Sequence, residues 1–143
     1  MVRKLPFFFF TEDRNYRLTQ KSLVREWLQQ AVDDHQRSVR EINYIFCSDH
    51  YLHSINKRFL RHDTFTDIIT FDYAESAVIR ADVYISVDRA RENAITYNVS
   101  VIDEIHRLLI HGLLHLVGYA DKTKDEQAVM RTKEEYYLSL RQF

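Results

Sequence analysis

The chain has 143 residues, 45% of them hydrophobic and 29% charged, with Gly 2 and Pro 1. That supply of apolar side chains with so few chain breakers excludes collagen-like repeats, long linkers and intrinsic disorder, and suits one domain over residues 1–143. The net charge of -1 does not announce a nucleic-acid binder, although residues 1–62 hold 11 Lys/Arg against 7 Asp/Glu and residues 63–143 hold 9 against 14, so a local basic patch can exist in the first part.

Leu5 to Phe10 reads as a first strand. Its run Phe7-Phe8-Phe9-Phe10 is too short for a signal-peptide core or a membrane span, so no membrane association is expected. Thr19 is placed to cap a helix running to about Val32, with Leu23, Val24, Trp27 and Leu28 on one face and Trp27 as a core anchor. Val39 to Cys47 reads as a second strand, with Ile42, Tyr44 and Phe46 alternating toward one side. Cys47 is the only cysteine. It rules out an intramolecular disulfide, reads as a buried thiol, and fits the cytoplasm.

Ser48 can cap a second helix in which Leu52, Ile55, Phe59 and Leu60 recur. Lys57, Arg58, Arg61 and His62 close that helix, where cations complement its dipole or could meet phosphates. Asp63, Thr64, Thr66 and Asp67 are turn formers leading into a strand from Ile68 to Tyr73. Ala81 to Val87 alternates as a further strand, and Asp88 to Tyr97 is a short helix. Ser100 with Asp103, and Thr123 with Glu126, mark the starts of the last two helices, the latter carrying Val129, Met130, Tyr136, Tyr137 and Leu140. The fold class is α+β, a single small mixed β-sheet of about four strands packed with about five helices.

The chemistry gathers between Glu104 and Asp121. Leu108, Leu109, Leu113, Leu116 and Val117 recur at helical spacing, and His111 and His115 interrupt them four residues apart, on one face. Gly118 suits the left-handed residue that ends a helix, after which the chain can fold back and bring Asp121 to the two imidazoles. Two nitrogens and one carboxylate oxygen make a three-ligand, zinc-type site on the central helix with a fourth position open. Glu104 reads as a first-turn dipole partner or a support behind the ligands, and His106 as structural.

His111 to Tyr119, read HGLLHLVGY, resembles the signature of the YbeY family of bacterial endoribonucleases, H-G-x-L-H-L-x-G-Y followed by a third histidine. Asn56 to Phe71 and the strand Ala81 to Ser86 resemble two further blocks of that family in matching order. The resemblance implies a single-strand-specific, zinc-dependent endoribonuclease with one zinc per chain. It implies action in rRNA maturation, notably at the small-subunit rRNA three-prime end, and in ribosome quality control. RNA and the ribosome or its small subunit are the implied partners; DNA is not.

Three positions depart from the family pattern. The third histidine falls at Asp121, a proline falls at Phe65, and an arginine falls at Leu60 with Arg61 beside it. The expected site is therefore His111, His115 and Asp121 for the metal, His111 and Arg61 for catalysis, and Lys57, Arg58 and Arg61 for RNA. The register also resembles the metzincin proteases, but their general base after the first histidine is Gly112 here, which argues against peptide hydrolysis. Gly112 is expected to leave room for a phosphodiester beside the metal. A zinc-stabilised, non-catalytic RNA-binding module is the remaining alternative.

Overall fold

The computed structural model describes residues 4–143, so residues 1–3 of the expected domain lie outside it. The elements run β1 (Phe7–Thr11), α1 (Lys21–Asp34), β2 (Ser38–Cys47), α2 (Asp49–Phe59), β3 (Ile68–Asp72), β4 (Val78–Ser86), α3 (Val87–Tyr97), α4 (Val101–Leu116) and α5 (Lys124–Ser139). The strands form one mixed sheet in the order β1-β2-β4-β3. β1, β2 and β4 are parallel, and β3 pairs antiparallel to β4.

Strand alternation decides which side the core occupies. Ile42, Tyr44 and Phe46 of β2 and Ala81, Val83 and Ile85 of β4 project to one face, where they meet α1 and α4 in the larger core. The opposite face carries a smaller cluster, Cys47, Leu52, Ile55 and Ile69, beneath α2. Burial pushes the Cys47 thiol up to about 12, so it is inert packing.

α4 is buried on nearly every side, from Glu104 and Ile105 through Leu108, Leu109, Ile110, Gly112 and Leu113 to Leu116. Gly112 allows its close approach to the sheet. A Cβ there would lie 2.9 Å from Val83 Cγ1 and 3.3 Å from Ile68 Cδ1. Gly112 therefore faces the sheet and makes no room for substrate, contrary to the sequence expectation.

Side-chain capping holds at Ser48, Ser100 and Thr123, each accepting from a backbone N–H, and Thr123 with Glu126 completes a capping box. It fails at Thr19, because α1 begins after Gln20 in the left-handed conformation with no side-chain cap. Trp27 is the core anchor expected, its indole donating to the Tyr137 carbonyl at 2.7 Å. Leu23, Phe59 and Leu60, placed by periodicity on packed faces, are exposed. Each sits near a helix end, Leu23 in the first turn of α1 and Phe59 and Leu60 at the close of α2, and Phe59 meets Phe71 of β3 only edge-on.

Candidate metal centre

The centre is built by the last turns of α4 and the reversal that follows. Gly118 has φ of 119°, a conformation that favours glycine. Its N–H bonds the His115 carbonyl at 3.1 Å, and the Tyr119 N–H bonds the Leu114 carbonyl at 3.0 Å. This paired closure is a Schellman motif. It also aims the Tyr119 carbonyl at His115, whose Nδ1 donates to it at 2.8 Å.

Three atoms then converge. His111 Nε2 and His115 Nε2 are 3.0 Å apart, and Asp121 Oδ2 lies 3.2 Å from the latter and 3.5 Å from the former. A tetrahedral zinc ion with bonds of about 2.1 Å spaces its ligands by about 3.4 Å, so the triangle is already the right size. Among the described residues, these three form a group able to hold a metal ion.

The far sides of the two rings are occupied. His115 Nδ1 donates to the Tyr119 carbonyl, and His111 Nδ1 to Glu134 Oε2 at 2.5 Å. Both Nε2 atoms are thereby lone-pair acceptors facing each other and a carboxylate oxygen. Three acceptors pointed at one another repel unless a cation lies between them, and this fits a metal.

Glu134 is a site residue that the sequence reading missed. It comes from α5, is 5% exposed, and bonds Arg107 Nη1 through its second oxygen at 3.2 Å. Its position with Met130 and Tyr137 on the buried stripe of α5 is the signal available in sequence, since a carboxylate there must have a partner. Arg107, one turn before His111, is gripped by both oxygens of Glu104 at 2.7 Å. Burial works to lower the Arg107 pKa, but the carboxylates of Glu104, Glu134 and Asp67 raise it above the usual arginine value. Glu104, 1% exposed and also bonded by Asn93, connects to the converging triad through Arg107 and then Glu134.

The centre opens into a cleft of about 760 Å³ lined by Asn56, Leu60, His62, Asp67, Arg107, His111, His115 and Asp121 among others. Leu60 and His62 line it; Arg61 between them, and Lys57 and Arg58, do not. Arg61 holds the left-handed turn that ends α2, with φ of 57°. Arg107 is the arginine that faces the cleft. His106 is structural, packed between Trp27 and Phe143. His53 pairs with Asp63 at 2.7 Å. No helix among the described residues is long and apolar enough to cross a membrane.

Comparison with known proteins places the chain in a family. The family model described as Endoribonuclease YbeY matches residues 9–141. An Endoribonuclease YbeY of Cytophaga hutchinsonii is 51% identical over 99% of this chain and 100% of its own length. That of Christiangramia forsetii is 42% identical over 92% of each. A solution structure from Thermotoga maritima superposes with a TM-score of 0.65 at 26% identity, covering 93% of this chain and 87% of that one.

Proposed function

The chain belongs to the YbeY endoribonuclease family, and on that premise we propose that it is a single-domain, metal-dependent endoribonuclease that cuts single-stranded RNA. Its place is in rRNA maturation at the small-subunit three-prime end and in ribosome quality control, acting on the ribosome or its small subunit in the cytoplasm. The observation that carries the metal-dependent reading is the convergence of two imidazole nitrogens and one carboxylate oxygen whose supporting bonds leave only acceptor lone pairs inward.

This donor set suits zinc, one per chain, held by His111, His115 and Asp121 with a fourth position left for substrate. When bound, such an ion supplies the Lewis acidity that phosphodiester cleavage needs near neutral pH. The chain's own residues hold and orient. Glu134 and the Tyr119 carbonyl fix the two ring tautomers, and Arg107 places a positive charge on the cleft wall one turn from His111. His111 counts as catalytic through the ion it holds. Lys57, Arg58 and Arg61 are assigned to the RNA backbone as it passes Leu60 and His62 into the cleft, with Arg61 given a share in cleavage.

The position after His111 disfavours the protease alternative. Gly112 is pressed against Val83 and Ile68, so no general base could reach substrate from there. The test is incubation of the zinc-loaded chain with a single-stranded RNA, its duplex, and casein. Cleavage of the single strand alone is expected. Cleavage of casein with intact RNA overturns the proposal, and inertness toward all three with zinc bound would make the chain a binding module.

A further inference from the structure

A second cavity, of about 390 Å³, lies against the metal cleft between the end of α3, α4 and α5. The two share Tyr97 and Arg107 as lining residues, so they meet at a common wall. Tyr97 is the last residue of α3 and is 55% exposed. Its backbone is fixed by a closed helix end, with Asn98 left-handed and the Val99 N–H bonded to the Ala94 carbonyl at 3.0 Å. Val99, also exposed, and Leu138 complete an apolar side. A tyrosine ring left half in water on a rigid helix end, beside an open cavity, contributes little to the core and is available to a ligand.

The polar side of this cavity is already sorted into committed and uncommitted groups. Glu104 and Glu134 are tied to Arg107, and Asp103 is bonded by Arg141 at 2.9 Å. Among the described residues Arg131 and Glu135 line the cavity without an ion-pair partner. The cavity thus offers an aromatic side chain, an apolar side, one uncommitted guanidinium and one uncommitted carboxylate, Glu135, which leaves the phosphate to Arg131 and the donor edge of a base to Glu135, beside the wall shared with the metal cleft. That combination matches a nucleobase with its own phosphate: the base stacks on a ring, and the phosphate meets the arginine.

We propose that this cavity seats an unpaired nucleobase of the RNA strand whose phosphodiester lies in the metal cleft, stacked on Tyr97 with Arg131 at its phosphate. The assignment rests on the endoribonuclease reading and gives it a physical source of strand selectivity. A base must leave its helix to enter the cavity, so a duplex would have to break pairing and stacking first. Stacking tolerates any base, because every base has a π-face, so the cavity selects strand state and not sequence.

The experiment uses the full zinc-loaded chain and a single-stranded oligoribonucleotide carrying 2-aminopurine. Fluorescence reports stacking, and steady-state cleavage is measured with unlabelled RNA. Tyr97→Ala should abolish the quench, raise KM about tenfold and leave kcat and bound zinc near wild type. Tyr97→Trp should restore the quench. Arg131→Ala, on α5, should raise KM in the same direction with the quench retained. Wild-type affinity and quench in Tyr97→Ala, with single-stranded RNA still cut, overturn the cavity assignment alone. A zinc-loaded wild type that neither binds nor cuts single-stranded RNA overturns the underlying reading and this inference with it.

Discussion

Replacing Glu134 with alanine removes the acceptor behind His111 while leaving all three converging atoms in place. Glu134 Oε2 is 2.5 Å from His111 Nδ1, and the side chain is buried, so water cannot fully replace it. Without it the ring is free to rotate or to carry its proton on Nε2, the atom a metal needs. Loss of such a supporting carboxylate weakens metal binding by about 10–100-fold, or roughly 1.4–2.8 kcal/mol. The fold should survive, because Arg107 keeps its two-oxygen bond to Glu104. The cost should therefore fall below the roughly 3–5 kcal/mol seen when a buried charge loses its only partner. Glu134→Gln retains an acceptor without the charge and should fall between wild type and alanine. The assay is a zinc titration against a chromophoric chelator, with a urea melt of the metal-free protein as control. A Glu134→Ala protein that binds zinc with the wild-type Kd would refute the reasoning.

Three further perturbations separate packing from chemistry. Gly112→Glu should destabilise the fold by more than about 3 kcal/mol, since it drives an unpaired carboxylate against Val83 and Ile68, and no peptidase activity should appear; a urea midpoint equal to wild type would contradict this. Arg61→Ala should lower RNA cleavage about a hundredfold with zinc content unchanged, as its proposed share in cleavage requires, and cleavage at the wild-type rate would leave Arg61 as a turn residue only. Burial, then Arg141, and against them Asp103, hold the His106 imidazole down at about 4 from an ordinary 6.5. A depressed histidine means that the unfolded chain takes up the proton first, so this residue's stability contribution is lost as pH falls from about 6.5 toward 4, about 3 kcal/mol in all. Urea midpoints across that window should fall less in His106→Phe than in wild type, and parallel slopes would refute the assignment.

What was legible in the sequence was local. The alternation of Ile42, Tyr44 and Phe46 and the caps at Ser48, Ser100 and Thr123 depend on neighbours within a few residues, and they hold. The converging triad was legible for the same reason, because His111, His115 and Asp121 sit on one helix and the turn that Gly118 permits. Glu134 and Arg107 were missed because their shared contacts depend on α5 packing against α4: the buried spacing of Met130, Glu134 and Tyr137 shows that the carboxylate needs a partner, but not that the partners are His111 and Arg107. Gly112 was misread for a related reason. Periodicity places it beside a ligand, but only the sheet shows that it abuts Val83. The helix-end leucines, Leu23 and Leu60, follow the apolar pattern and yet are exposed, so pattern alone overestimates the core.

The claim at the centre of this account is that three side chains hold one metal ion on which RNA cleavage depends. Metal analysis of the purified chain, paired with a single-stranded RNA cleavage assay for His111→Ala, His115→Ala and Asp121→Ala, tests it most directly. One zinc per wild-type chain is expected, with its loss or marked weakening in each variant and cleavage that falls with zinc content. Zinc retained at wild-type affinity after any of these three substitutions, or RNA cleavage undiminished in zinc-free protein, would contradict it.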